Sequence, residues 1–158
     1  MILITGRDGN FSKEGFTLIE LIGVIAVILI LFSITAGGMK AIKQYSAKQK
    51  ARTEIYSLSA ALKAYELDYG GYPADGIANM TKALLSKSKN GPYIEKSKWN
   101  IDAANKIIDP WGKSYVYHNN IDGSMWAGVR NSDSFDLYSC GPNRIDNNGK
   151  VDDIGNWK

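Results

Sequence analysis

The chain has 158 residues, which suffices for one ordinary domain together with an extended element. Its 19 Lys and Arg residues against 16 Asp and Glu residues give a formal net charge of +3, so the charge indicates no nucleic-acid partner. Cys140 is the single cysteine, which excludes an intramolecular disulfide. The single histidine, His118, argues against a histidine-based metal or acid–base site.

The N-terminal part of the chain contains a long apolar run in which Glu20 is the only charged residue between Glu14 and Lys40. The run FTLIELIGVIAVILILFSITAGGM is long enough to cross a hydrocarbon core as a helix, which needs roughly 20 residues. A cleaved secretory signal is the alternative, but its apolar region has about 7–15 residues and precedes a small-residue cleavage site. We therefore expect a retained membrane helix over residues 16–39, preceded by a short leader over residues 1–15.

Glu20 is the unusual residue of this run. An ionised acid near the bilayer centre costs on the order of 2.5–3.5 kcal/mol, so a carboxylate there suggests a function. One explanation is that Glu20 lies near the interface and reaches water. The other is that a cation pairs with it, and cleavage after Gly15 would create such a cation at the free amine of Phe16.

The segment GFTLIE and the apolar run after it resemble the cleavage and methylation signature of type IV pilins and of the pseudopilins of type II secretion. The resemblance implies that prepilin peptidase cuts between Gly15 and Phe16 and methylates the new amine of Phe16. It also implies that Glu20 of one subunit neutralises Phe16 of a neighbour as a filament assembles. Glu14, just before Gly15, departs from the basic or neutral residue that is usual there.

Residues 40–69 are rich in good helix formers and predict an amphipathic helix that continues into a globular head. One apolar stripe recurs at helical spacing and consists of Ile55, Leu58, Leu62 and Tyr65. A coiled-coil dimer is the alternative, but its heptad pattern persists for too few turns. Gly37 and Gly38 weaken the helix and permit a bend, and the segment GGYP, starting at Gly70, ends it.

Residues 70–158 are expected to form that head. A short helix is predicted over about residues 78–88, and DPWG, starting at Asp109, is predicted to form a turn. The segments with strand-like character are KSYVYHN (113–119), SFDLYSC (134–140) and, as a third candidate, MWAGVR (125–130). The predicted fold class is α+β, with a long N-terminal helix packed on a small antiparallel sheet.

Four segments of the head, GGYP, DPWGKSYVY, FDLYSCGPN and DDIGNW, resemble in sequence and order the major pseudopilins of type II secretion, or general secretion pathway protein G. This family belongs to the type IV pilin superfamily, and the resemblance extends from Gly15 to Trp157. It implies a single-pass inner-membrane protein with its head in the periplasm, which assembles into a pseudopilus. The implied partners are further copies of the chain, minor pseudopilins, prepilin peptidase, and an inner-membrane assembly platform with its ATPase.

The C-terminal segment CGPNRIDNNGKVDDIGNWK has few apolar residues and many oxygen ligands of the kind that Ca²⁺ prefers. An EF-hand is excluded, because placing Gly149 at loop position 6 puts Arg144 at position 1. The resemblance implies a different, structural calcium site in this loop. Its implied ligands are the backbone carbonyls of Cys140 and Lys150 and the side chains of Asn143, Asp152 and Asp153. Asn143 replaces an acidic ligand of the family, and Asp146 is a candidate to compensate for the lost charge. The alternative is a solvated, turn-rich loop.

No enzyme motif accompanies these features, since the sequence has no Ser/His/Asp spacing, no Cys/His pair and no HExxH. The resemblance implies a structural filament subunit, not an enzyme, that polymerises through its N-terminal helix to drive export of folded proteins across the outer membrane. A type IV pilin or competence pseudopilin is the nearest alternative. A membrane-anchored periplasmic enzyme, or an anchored calcium- or ligand-binding module, is a more distant one.

Overall fold

The computed structural model describes residues 15–121, 123 and 126–157, and the side chains of residues 34–38 lie outside that description. The predicted leader, residues 1–15, therefore lies outside the described residues except for Gly15. The chain divides into two compact units, Met1–Lys40 and Ala41–Lys158.

The secondary structure is a long helix followed by a small mixed head. The elements are α1 (Leu18–Tyr69), α2 (Ile77–Leu85), a 3₁₀ turn (Lys96–Lys98), β1 (Val116–Asn119), β2 (Phe135–Ser139) and β3 (Ile154–Gly155). The three described strands form an antiparallel sheet in the order β1-β2-β3, with Tyr117 opposite Leu137 and Ser139 opposite Ile154. This arrangement confirms the predicted α+β fold class.

The helix α1 includes Gly37 and Gly38, so the backbone stays helical at these two adjacent residues of weak helix propensity. In the first unit the described apolar side chains from Phe16 to Phe32 are exposed, with Leu18 at 77% and Phe32 at 72%. Among the helices that the structure describes, none is long and apolar enough to cross a membrane. The membrane helix over residues 16–39 stays a prediction.

The core of the second unit confirms the predicted apolar stripe of α1. Ile55, Leu58 and Leu62 are buried, and Tyr65 packs against the same cluster. The stripe meets side chains from the sheet and from α2, namely Met80, Leu84, Tyr115, Tyr117, Phe135 and Leu137. Because β2 is the central strand and is covered on both faces, all five of its residues are buried.

Aromatic side chains follow one another from β1 across β2 to the C-terminal segment. His118 stacks on Trp126 with ring centroids 4.5 Å apart, Trp126 stacks on Tyr138 at 5.8 Å, and Tyr138 meets the edge of Trp157 at 5.6 Å. Offset and edge-to-face pairs of this kind stabilise by about 0.5–1.5 kcal/mol each beyond the area that they bury. They help to cover the residues of β2 that alternate with Phe135 and Leu137.

Two sequence expectations for the head need correction. The predicted helix over residues 78–88 is α2, which starts one residue earlier and ends at Leu85. The third strand predicted over residues 125–130 is wrong, because its described residues, 126–130, form turns and a bend, and β3 is the third strand. The physical reason is that the main-chain N–H of Arg130 donates to the Asp136 carboxylate at 2.9 Å instead of to a strand.

Shortening a side chain of the stripe tests this core. Ile55 is 2% exposed, so Ile55→Val is expected to lower the free energy of unfolding by about 1 kcal/mol. Ile42 on the same helix is 68% exposed, and Ile42→Val is the matched control with an expected change below about 0.5 kcal/mol. Urea unfolding of the full chain in detergent micelles, followed by tryptophan fluorescence, measures both. Equal midpoints for the two variants would contradict the packing of the stripe.

Candidate functional site

The residues predicted for processing and assembly surround the first turn of α1. Thr17 lies immediately before the helix, and its hydroxyl accepts a hydrogen bond from the Glu20 main-chain N–H at 3.4 Å. In return, Glu20 Oε2 accepts hydrogen bonds from Thr17 N at 2.9 Å and from Thr17 Oγ1 at 2.7 Å. This reciprocal arrangement is a capping box, which satisfies main-chain donors that a helix start otherwise leaves without partners.

The capping box gives Glu20 a partner within its own chain. The sequence-based expectation for Glu20 considered only water or the amine of a neighbouring subunit. Thr17 is absent from the residues predicted from sequence, although the spacing T-x-x-E is the recognised signal for a capping box. Gly15 and Phe16 are both exposed, as a cleavage site requires, while cleavage, methylation and the pairing of Glu20 with Phe16 stay predictions.

The C-terminal loop begins immediately after β2 at Cys140. The Cys140 side chain is a buried free thiol, and burial raises its pKa to about 11, so it is a poor nucleophile. The Lys150 carbonyl, the second predicted backbone ligand, accepts a hydrogen bond from Asp153 N at 3.0 Å. A carbonyl oxygen has two lone pairs, so this bond leaves one for another partner.

Asp153 is the most deeply buried of the predicted side-chain ligands. It is 1% exposed, and its Oδ2 accepts main-chain hydrogen bonds from Asn147 at 3.1 Å and from Gly149 at 2.8 Å. Burial raises the pKa of Asp153 although these two bonds oppose it, and the charges of Asp146 and Asp152 raise this pKa further. Asp146 and Asp152 are therefore each close enough to Asp153 to repel its charged form.

The remaining predicted ligands are connected by hydrogen bonds across the loop. Asp146 Oδ1 accepts from Tyr138 Oη at 3.0 Å and from Asn148 N at 2.9 Å. Asp152 Oδ2 accepts from Asn143 N at 3.1 Å, and Asp152 Oδ1 accepts from Asn143 Nδ2. Asn143 thus presents its amide nitrogen, not its oxygen, to Asp152.

The predicted calcium ligands can be compared with the donors that Ca²⁺ prefers. Within the described residues, no group of three or more His, Cys, Asp and Glu side chains is arranged to hold a metal ion. The predicted ligands, however, are all oxygen atoms, and Ca²⁺ takes carboxylate, amide and backbone carbonyl oxygens in flexible geometry. A divalent cation would relieve the repulsion that Asp146 and Asp152 exert on Asp153. The calcium site stays a prediction.

Two further buried carboxylates fasten loops to the sheet, and neither was predicted from sequence. Asp109 Oδ1 accepts from the main-chain N–H groups of Trp111 at 3.0 Å and Lys113 at 2.9 Å. Asp136 accepts from the main-chain N–H groups of Arg130 and Asn131. The signal for Asp109 was the DPWG turn itself, since Asp side chains bond main-chain groups two residues onward.

Two family models match most of the chain. The family described as "Type II secretion system (T2SS), protein G" matches residues 39–157, and the family described as "Prokaryotic N-terminal methylation motif" matches residues 10–36. The chain is similar to the "Type II secretion system core protein G" of Pectobacterium carotovorum subsp. carotovorum, with 33% identity covering 96% of this chain and 88% of the relative. The protein of the same name from Escherichia coli (strain K12) is 32% identical, with 92% of each chain covered.

A solved structure, the major pseudopilin from the type 2 secretion system of enterohaemorrhagic Escherichia coli, is 28% identical, with a TM-score of 0.46. The similarity covers 76% of this chain and 94% of that one. The first family match covers the head and the second half of α1, and the second covers Gly15, Phe16 and Glu20. This chain therefore belongs to the type II secretion system protein G family.

Proposed function

We propose that this chain is a structural subunit of the type II secretion pseudopilus, a periplasmic filament that drives export of folded proteins across the outer membrane. The observation that carries the proposal is the protein G family match over residues 39–157, joined to the methylation motif over residues 10–36. The relatives are named core protein G of that system. The members of this family are structural subunits. Their role requires assembly and disassembly of a filament and no reaction catalysed by a side chain.

The first part of α1 supplies the polymerisation surface. Its apolar side chains from Leu18 to Phe32 are exposed, and apolar area in contact with water is unfavourable by roughly 25 cal/mol per Å². Lipid of the inner membrane solvates these side chains before assembly, and the same segments of sister subunits cover them in the filament. Since both environments are apolar, the transfer between them never exposes the surface to water. The assembly platform with its ATPase drives the transfer, and minor pseudopilins join the same filament.

Processing prepares the charge pair at the start of this helix. Prepilin peptidase cleaves between Gly15 and Phe16 and methylates the Phe16 amine, which places a positive charge next to Thr17. In the filament, Glu20 of one subunit pairs with Phe16 of its neighbour. A buried charge is tolerable only with a partner, so this pairing makes assembly depend on the register between subunits.

The N-terminus of the mature protein tests the proposal. Expression with a prepilin peptidase is expected to yield a chain that starts at N-methylated Phe16, measured by intact mass and N-terminal sequencing. Expression in a strain that lacks the peptidase is the control and should yield a chain that retains residues 1–15. A chain that still begins at Met1 in the peptidase-containing strain would overturn the proposed role.

We also propose that Ca²⁺ fastens the C-terminal loop in place of the disulfide that this chain cannot form. The ligands are the Cys140 and Lys150 carbonyls and the Asn143, Asp152 and Asp153 side chains, with Asp146 adding negative charge nearby. The ion supplies positive charge where Asp146 and Asp152 repel the charge of Asp153. The support is the all-oxygen donor set and the proximity of Asp146 and Asp152 to the buried Asp153.

Calcium is therefore expected to raise the thermal midpoint of the head. A ligand that binds only the folded state stabilises by about 2.7 kcal/mol at a concentration 100 times its dissociation constant. This corresponds to an increase of roughly 5–10 °C for a chain of this size. Thermal unfolding in EGTA and in rising CaCl₂ measures the increase, with MgCl₂ as the control ion because Mg²⁺ gives up its water reluctantly. A thermal midpoint that does not change across the calcium titration would contradict the proposed calcium site.

A further inference from the structure

We propose that Asn143 acts as a clamp that closes the C-terminal loop, defined here as residues 140–153, by hydrogen bonds that need no cation. The inference rests in part on the proposed calcium site, because it concerns how strongly the loop depends on that ion. It assigns a distinct role to a residue that the family resemblance treats only as a weakened ligand.

The clamp joins the beginning, the middle and the end of the loop through one residue. Asn143 Nδ2 donates to Asp152 Oδ1 and, at 3.1 Å, to Asn147 Oδ1. Asn143 Oδ1 accepts from Ile145 N at 2.6 Å, and Asn143 N donates to Asp152 Oδ2 at 3.1 Å. Both donor hydrogens of the side-chain amide and its oxygen are thereby used.

The neighbouring groups determine which way the Asn143 amide points. With the opposite orientation, Oδ1 would face the Asp152 carboxylate, and Nδ2 would face the N–H of Ile145. Both contacts would then be repulsive, so the hydrogen-bond network supports one orientation only. The side chain at position 143 is therefore a donor toward Asp152.

Donation to a carboxylate partly replaces the positive charge of a metal ion. The bond from Asn143 Nδ2 to Asp152 Oδ1 is charge-assisted, and such bonds are roughly twice as strong as those between neutral groups. An aspartate at position 143 would instead bring a fourth carboxylate against Asp152 and would offer no donor. A loop with aspartate there needs a cation to close, whereas this loop closes through its own amide.

The same bond is expected to weaken calcium binding. A cation that takes Asp152 Oδ1 as a ligand must first displace the N–H of Asn143, and it then gains a neutral ligand where aspartate would supply a charged one. Asn143 therefore lowers the affinity of the loop for calcium, but it keeps the loop ordered when calcium is absent. The chain keeps its loop closed over a wider range of calcium concentrations than a chain with aspartate at this position.

The experiment compares the full-length chain in detergent micelles with three variants, Asn143→Asp, Asn143→Ala and Asn100→Asp. Asn143→Asp removes the donor, keeps an oxygen acceptor for Ile145 N and adds a charge. Asn143→Ala removes both the donor and that acceptor and adds no charge. Asn100 is exposed and lies outside the loop, so Asn100→Asp is the control for the added charge. Thermal midpoints and hydrogen exchange of peptides covering residues 143–153 are measured in EGTA and in CaCl₂.

The hydrogen bonds of Asn143 are solvent-exposed, so their loss has a moderate effect. In EGTA, Asn143→Asp is expected to lower the thermal midpoint by about 3–6 °C, Asn143→Ala by about half as much, and the control not measurably. Exchange at Asn147 and Gly149, whose N–H groups bond Asp153, is expected to quicken in the same order. The increase in thermal midpoint that calcium causes should be about twice as large for Asn143→Asp as for the wild-type chain, because an added charged ligand strengthens the site.

The inference is overturned if Asn143→Asp and Asn143→Ala keep the wild-type midpoint and exchange rates in EGTA. It is also overturned if calcium stabilises the wild-type chain and Asn143→Asp equally. If both variants lose stability in EGTA and calcium stabilises none of the chains, the clamp is upheld and the calcium proposal alone fails. Exchange data keep the test decisive if a variant unfolds irreversibly.

Discussion

Glu20→Ala is expected to reduce pseudopilus assembly by more than a hundredfold while leaving the head folded. Breaking a buried charge pair by removing one partner costs about 3–5 kcal/mol, and each 1.4 kcal/mol corresponds to a factor of ten. In the proposed filament the loss leaves the Phe16 amine of the neighbouring subunit unpaired in an apolar environment. Because every subunit carries the change, the penalty recurs at each addition to the filament.

The capping box provides a second explanation for such a loss, which a matched variant separates from the first. Thr17→Ala removes the hydroxyl that donates to Glu20 Oε2 and accepts from Glu20 N, but it keeps the carboxylate. Loss of a helix cap costs about 0.5–2 kcal/mol, so Thr17→Ala should weaken assembly by only about tenfold. Glu20→Gln retains an oxygen acceptor for the cap without the charge, and we expect it to assemble as poorly as Glu20→Ala.

The measurement is the amount of filament sheared from cells that overexpress the assembly machinery, normalised to the subunit in the membrane fraction. Equal subunit levels show that the variants are made and retained. Normal filament yield from Glu20→Ala would refute the pairing between subunits. A loss in Thr17→Ala as large as in Glu20→Ala would show that the helix cap, and not the charge pair, governs assembly.

The architecture of the head could be predicted where the spacing of apolar residues identifies one face of a helix or strand. Ile55, Leu58 and Leu62 recur at helical spacing and form the buried stripe, and the sequence segments that contain β1 and β2 alternate as strands do. MWAGVR has comparable strand character, yet the structure gives no strand over its described residues, 126–130. Local sequence does not reveal that the carboxylate of Asp136, six residues later, accepts a hydrogen bond from the main-chain N–H of Arg130.

The sequence suggests which residues belong to the candidate sites, but not how those residues are hydrogen-bonded to one another. The residues around Gly15 and Glu20 carry a recognisable motif, and the oxygen-rich loop after Cys140 suggests a cation site that stays a prediction. The role of Asn143 depends on Ile145 N and Asp152 Oδ1, which settle the direction of its amide. The sequence alone shows an amide at position 143, and only the folded loop shows that the amide nitrogen faces Asp152.

The second large effect is expected at Asp136. Asp136→Asn should lower the free energy of unfolding of the head by about 4 kcal/mol, although the volume hardly changes. The Asp136 side chain is fully buried and accepts N–H bonds from Arg130 at 2.9 Å and Asn131 at 3.0 Å, and a third from Asn131 Nδ2 at 2.9 Å. An asparagine turns one of its two acceptor oxygens into a donor, which then faces other donors.

Asp133→Asn is the matched control, because it makes the same chemical change three residues away at an exposed position. We expect it to change stability by less than about 0.5 kcal/mol. Urea unfolding followed by tryptophan fluorescence suits the comparison, since Trp126 lies in the segment that Asp136 holds and stacks on Tyr138 of β2. A loss below about 1 kcal/mol for Asp136→Asn would mean that water satisfies the freed N–H groups, in which case the buried carboxylate is not what fastens this segment to the sheet.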